Sequence, residues 1–335
     1  MSNSRSLIGR RTWLGAVLAA GAGMRWRGAR AAEAPPVRLG VRQFGTVQWV
    51  AEVIRRNRLD AAHGFALRTQ TLANDGAGRI ALMAGAADIV VNNWMMVAAQ
   101  RTAGHRLCFA PFSSALGGIM VRADAPIRSL ADLKGRKLGV AGGPFDKSWL
   151  LVQAAARQEG IDLAAGANVV FGAPPLLGGK FMQGDLDAVL TYWNFAARLQ
   201  AAGYRELRSV AACAQALGLP ARLGLVGYVF HEDWATRNRP AIDGFLKAAA
   251  AAEQHLASDP AAFQAIRPLM DAPQDALYEE LKRRFVAGIG HPSAAEEQAS
   301  AEKVFAILAR IGGKQATAGL TRLPSGMFWP VARGA

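Results

Sequence analysis

The residues best suited to chemistry in this chain are suited to holding a molecule rather than converting one. Its five histidines, His63, His105, His231, His255 and His291, show no arrangement that singles out a base. Cys108 and Cys213 stand about a hundred positions apart in apolar surroundings, and two buried free thiols are expected. HExxH, CxxC, GxSxG and P-loop patterns are all missing. No catalytic residue is assigned, and the chain is not expected to be an enzyme.

Recognition chemistry is concentrated in five short stretches, each following a β-like run. In Gln43-Phe44-Gly45-Thr46, Gln43 offers both donor and acceptor beside Phe44, while Thr46 either caps the following helix or sits in an ordinary turn. Asn92-Asn93-Trp94 places an amide, Asn93, and an indole, Trp94, directly after a buried run, where they wall a cleft or pack in a core. Phe112-Ser113-Ser114 adds two hydroxyls, Ser113 and Ser114, that suit an oxyanion or carbonyl, with a plain turn as the competing reading. Tyr192-Trp193-Asn194 again sets an aromatic and an amide, Trp193 and Asn194, at the end of a strand.

The remaining stretch, residues 142–149, opens a helix with Gly142 and Gly143 and carries Asp146 and Lys147. Glycines expose backbone N–H groups and a helix start carries partial positive charge, so an anionic head group suits it, with Lys147 adding charge. Asp146 opposes that reading if it occupies the helix start itself as a cap. Trp94 and Trp193 are expected from opposite lobes, so closure would stack a flat or aliphatic ligand between them, or hold an amine by cation–π attraction with Asp146 as counter-charge. The sequence does not choose between these. Zinc wants clustered histidines and calcium several carboxylates, and these loops hold only Asp146, so no metal and no cofactor is assigned.

Alternating β-like runs and helical segments must position these loops, the pattern of α/β architecture. Strands are expected at 37–41, 65–70, 87–91, 107–111, 118–122, 137–140, 168–171, 188–191, 206–210 and 223–230, with helices between them and a helical tail after 230. Two passages, near 117–122 and 225–230, read as crossings between lobes. The expected division is an export segment at 1–32, a first lobe from 33–117 and 230–335, and a second lobe from 118–229. Open sheets bind ligands beyond the carboxyl ends of their strands, which places the five stretches around one cleft.

Before the first strand, Arg10 and Arg11 precede Thr12-Trp13-Leu14, an uncharged run of 11 residues to Met24, and Ala29-Arg30-Ala31. The run is too short to span a bilayer and has the plan of a cleaved export signal. It resembles the bacterial twin-arginine signal more than that of the general route, because Arg25, Arg27 and Arg30 follow the apolar core. The chain carries a net charge of +14; the segment holds six arginines and no acid, so 33 basic and 25 acidic residues remain. They are spread without a run of like charge, which argues against a nucleic-acid partner. A soluble periplasmic monomer is expected.

Three passages carry a family resemblance. Residues 125–140 (APIRSLADLKGRKLGV) resemble the linker, helix and strand that open the second lobe of type II periplasmic solute-binding proteins. Residues 182–193 (MQGDLDAVLTYW) and 84–91 (AGAADIVV) resemble that family's glycine-to-aspartate turns, one per lobe. Together they are similar to the branch that binds nitrate, taurine, alkanesulfonates and thiamine-pyrimidine precursors for ABC importers. The resemblance implies two open sheets flanked by helices with a two-stranded hinge, and capture of a small organic solute, sulfonate-like or heterocyclic, for a membrane permease. It also implies two alternatives: an enzyme of the pyrimidine-synthase kind on the same fold, or a solute sensor docking on a membrane partner.

Overall fold

The structure, a computed structural model, describes residues 34–43, 45–220, 222–290 and 293–330. The export segment and the cleft candidate Phe44 lie outside the described residues. The chain begins with β1 (Pro36–Arg42), α1 (Val47–Arg56), α2 (Leu59–Ala62), β2 (Ala66–Leu72), α3 (Asp75–Met83) and β3 (Ile89–Asn93). It continues with α4 (Trp94–Thr102), β4 (Leu107–Ser113), β5 (Gly118–Val121), β6 (Lys137–Ala141), α5 (Lys147–Gln158) and α6 (Leu163–Gly166). Next come β7 (Asn168–Gly172), α7 (Pro174–Met182), β8 (Ala188–Thr191), α8 (Trp193–Ala201), β9 (Arg205–Ser209), α9 (Val210–Ala216) and β10 (Val226–His231). Helices α10 (Glu232–Arg237), α11 (Arg239–Ser258), α12 (Pro260–Met270), α13 (Asp275–Ala287) and α14 (Ala294–Ala316) close it.

Two five-stranded sheets are built alike. The first has the order β2-β1-β3-β10-β4 and the second β7-β6-β8-β5-β9. In each, four strands share one direction and the fourth in order runs antiparallel to its neighbours. That antiparallel strand is the one that arrives from the other lobe: β5 enters after β4, and β10 returns to the middle of the first sheet. All ten expected strands are present with ends shifted by up to about three residues.

The period of two along the strands explains why they are buried on both faces. Val37, Leu39 and Val41 of β1 and Ile89 and Val91 of β3 face one core with α1, α11 and α13, while Val90 faces the other with α3 and α4. Gly40 lies between, where a Cβ would stand 2.5 Å from the Leu72 side chain. In the second sheet Leu138, Val140 and Leu190 pack beneath α5 and α9, and Ala141 and Val189 beneath α7 and α8.

The two glycine-to-aspartate turns do the same work in each lobe. Gly85 (φ 69°) and Gly184 (φ 87°) take the left-handed conformation that ends a helix. Asp88 then accepts from the Arg38 backbone N–H at 2.8 Å and from its guanidinium, and Asp187 accepts from the Lys137 N–H at 2.9 Å. Each carboxylate thereby ties the start of a parallel strand, β1 or β6, to the strand that follows the turn.

The tail departs from the expected division. Helix α14 packs against α5 in the second lobe, with Gly312 set against Leu150, rather than joining the first lobe. Beyond it the chain returns: Phe328 bridges Phe109 of β4, whose N–H donates to Met327 O at 2.7 Å. Among the described residues, the passage from α13 to α14 and residues 317–327 therefore also run between the lobes, besides the two crossings expected. The boundary expected at 229–230 falls inside β10. Nothing in an amphipathic helix near the end of a chain says which of two apolar faces it will cover.

Candidate functional site: a cleft of paired charges

At the carboxyl end of β6, Gly142 adopts φ 91°, and a Cβ there would stand 3.0 Å from the Tyr192 hydroxyl and 3.1 Å from Asp146 Oδ2. Only glycine fits this approach. Asp146 caps α5: its Oδ1 accepts from the N–H groups of Ser148 at 2.9 Å and Trp149 at 3.4 Å, and its Oδ2 accepts from the Tyr192 hydroxyl at 3.3 Å. The start of α5 is thus occupied by the protein's own carboxylate, which removes the reading of this helix end as the anion site. Burial, reinforced by Asp146, holds the Tyr192 phenol well above its ordinary range, so it stays a donor.

Lys147 follows the cap. It makes no hydrogen bond or ion pair among the described residues, and burial lowers its ammonium pKa against the raising effect of Asp146 and Asp75. Asp75 belongs to the facing lobe, where it opens α3 and accepts from Arg42 at 3.0 Å across the ends of β1 and α3. Asn92 Nδ2 donates to Asp75 O at 3.4 Å. The Asp75 and Arg42 charges also act on Tyr192, so charged groups at the strand ends of both lobes influence one another. Arg42, Asp75 and Tyr192 were not among the sequence candidates. Arg42 ends β1 and Tyr192 directly follows β8, each next to a residue that was, and that adjacency was the available signal.

The other candidates fall into distinct places. Gln43 is exposed beside Arg42, its carbonyl accepting from Gln48 Nε2 at 2.8 Å. Asn93 caps α4, accepting from the Met96 N–H at 3.1 Å. Ser113 Oγ accepts from the Ala115 N–H at 3.1 Å, and Ser114 Oγ donates to Gly288 O at 3.1 Å, so both hydroxyls serve the crossing segment. Gly143 is open on its side-chain face. Asn194 is half-buried in the first turn of α8 with no side-chain partner among the described residues.

The tryptophan sandwich does not form. Trp94 is 1% exposed in the first lobe's core. Trp193, 8% exposed, stands edge-on to Trp49 of α1 at 6.0 Å and tilts against Phe285 of α13 at 6.2 Å. It plugs the junction between lobes, which Arg198 reinforces by donating to Met270 O and Asp271 O. A large ring after a strand satisfies the hydrophobic effect in a core as well as in a cleft, and burial wins in both cases.

Helix starts divide in an informative way. Asn74, Asn93 and Asp146 cap α3, α4 and α5 with their own side chains. Helix α1, after Thr46, and α8, after Tyr192, have no side-chain cap, and the Trp49–Trp193 contact brings their first turns together. Among the described residues no cluster of His, Cys, Asp and Glu could hold a metal. Cys108 and Cys213 are buried away from the cleft, and burial pushes the Cys108 thiol up to about 12.

Two like-built open sheets facing one another across a cleft define the two-lobed fold of periplasmic solute-binding proteins. Residues 61–263, more than half of the chain, match the model of the family described as NMT1/THI5 like, and the chain belongs to that family. No curated protein matches this sequence. Among solved structures, the chain is similar to the periplasmic aliphatic sulphonate binding protein SsuA from Escherichia coli, with TM-score 0.69, 18% identity, and coverage of 88% of this chain and 98% of that one. It is also similar to the alkanesulfonate-binding protein SsuA from Xanthomonas axonopodis pv. citri bound to MOPS, with TM-score 0.66, 17% identity, and coverage of 89% and 99%. The desulfurization enzyme DSZB shares the fold too, with TM-score 0.56, 15% identity, and coverage of 84% and 96%. No helix among the described residues is long and apolar enough to cross a membrane.

Proposed function

We propose that this chain is the exported solute receptor of an ABC importer and that it captures a small organic anion, sulfonate-like in charge and shape, between its lobes. The observation that carries the reading is the pair of uncapped helix starts at α1 and α8, brought together by Trp49 and Trp193. The Gln48, Trp49 and Phe195 N–H groups bond to backbone carbonyls, and the Trp193 and Asn194 N–H groups at the start of α8, with the positive ends of both helix dipoles, favour an anion. Lys147 supports it, since a partly desolvated ammonium with no direct partner gains from a ligand anion. The twin-arginine-like segment supports delivery to the periplasm, and the likeness in fold to a structure described as the periplasmic sulfonate-binding protein of a putative sulfonate ABC transporter supports hand-over to a permease.

Calorimetric titration of the purified protein with a short alkanesulfonate tests this. Micromolar binding that falls by about 10- to 150-fold in Lys147→Met is the expected result, from the loss of a charge-assisted contact of about 1.5–3 kcal/mol. Absence of binding to sulfonates and other small organic anions at millimolar concentration would sink the reading.

An enzymatic reading draws on the likeness to the desulfurization enzyme. Both thiols are buried, with pKa values raised by that burial, which leaves no thiolate for nucleophilic attack at neutral pH. Mass spectrometry of the titrated sulfonate after prolonged incubation separates the two readings: an unchanged mass supports the receptor.

A further inference from the structure

On the flank of the second lobe, behind the glycine turn, lies a second cavity of about 270 Å³. It exists because the layer over the second sheet is incomplete at its edge. Strand β7 is the last in that sheet, α6 beside it is only four residues long, and α14 is broken at Gly313 (φ 60°), one residue past the wall of the cavity. The alternate side chains Val169 and Phe171 of β7 form its floor, and Trp149 of α5 and Ile311 of α14 its sides. Phe145 and Phe171 of its lining are both 40% exposed, a heavy exposure for two phenylalanines.

One polar group lines this space. Gln153, in the second turn of α5 after the cap, is 7% exposed and makes no hydrogen bond among the described residues. Its amide atoms are not among the buried polar atoms left without a partner, so they face the open space of the pocket, and a ligand amide that replaces water there keeps the hydrogen bonds while its ring gains the apolar walls. An amide offers one donor and one acceptor side by side. None of the side chains lining the cavity is charged.

We infer that this flank pocket is a second binding site, separate from the cleft, for an uncharged planar ring bearing a carboxamide or lactam edge. The edge pairs with Gln153 through two hydrogen bonds, and the ring lies between Phe145, Phe171 and Trp149, where aromatic contact adds to burial. The volume, at the small end of ligand pockets, limits the occupant to a single or compact fused ring. Phe145 stands in the same turn as Gly142 and Asp146, so an occupant orders the turn that also faces the cleft. The inference does not rest on the sulfonate reading.

Benzamide is the probe, with toluene as a ring of similar size that lacks the amide. In amide-resolved NMR of the purified protein, benzamide shifts the Trp149 indole and Gln153 side-chain signals. Gln153→Leu weakens benzamide by about tenfold while toluene binds as before. Ala164→Trp, at the rim on α6, blocks both probes without changing the melting temperature. Alkanesulfonate titrations of Gln153→Leu stay as in the parent, which keeps the two sites distinguishable. The inference is overturned if benzamide leaves these signals unmoved at millimolar concentration, or if it binds Gln153→Leu as well as the parent.

Discussion

Lys147 and Asp146 are neighbours with opposite tasks, and their division of labour sets the chemistry of the cleft. Asp146 spends one oxygen on the α5 cap and the other on Tyr192, so it is a structural carboxylate facing a binding space. Lys147 is left to meet a ligand, with an ammonium pKa below the ordinary 10.5 because burial outweighs its carboxylate neighbours. An anion binds the ammonium form, so affinity falls as pH rises through that lowered value, ahead of 10.5. In the empty protein the sign is opposite: protonating a buried amine opposes folding, and stability rises with pH over the same window. Titrations across alkaline pH check this, with Lys147→Met expected to be flat. Two silent thiols are a second expectation at this scale, since Cys108 and Cys213 lie in the cores. Neither should react with a thiol reagent at pH 8 until the protein is denatured.

The sequence offered candidate loops at the strand ends but not the assignment of side chains within them. Whether Asp146 caps a helix or faces a ligand depends on a rotamer, and whether Trp193 lines a cleft or a junction depends on where α13 lies. Neither is a local property of the chain.

At the scale of elements, strand positions were legible because period-two burial and the glycine-to-aspartate turns are local signals that tertiary structure did not override. The junction between α8 and α13 was not, because it depends on two distant helices meeting. Trp193 sits on that junction with Trp49 and Phe285, and its removal leaves a cavity that neither lobe can fill. Trp193→Ala is expected to lose about 3–5 kcal/mol in denaturant unfolding. Asp146→Ala removes a cap and the acceptor of Tyr192, and a smaller loss of about 0.5–2 kcal/mol is expected in the same experiment. A Trp193→Ala variant with parental stability would show that the junction is not a principal inter-lobe contact.

At the scale of the whole molecule, crossings beyond the two expected stiffen a hinge, since each fixes another point through which a rotation axis must pass near. The last of them carries Met327, Phe328 and Trp329 into the first lobe, all buried, with Trp329 N–H donating to Phe109 O at 2.8 Å. They cover part of β4, which is an edge strand. Deleting residues 326–335 should remove about 1.5–3 kcal/mol for each large buried side chain and bare an apolar edge. A lowered melting temperature together with rising light scattering is the expected outcome.

The bridge between Phe109 and Phe328 also orders events in time. Phe328 leaves the ribosome 219 residues after Phe109, about 10–45 s later at ordinary rates of synthesis. Until then β4 has no cover on its outer side, and before β10 is made the first sheet lacks its central partner as well. The first lobe opens with β1 and is finished by the segment around Phe328, so it acquires its native form only after that segment has been made.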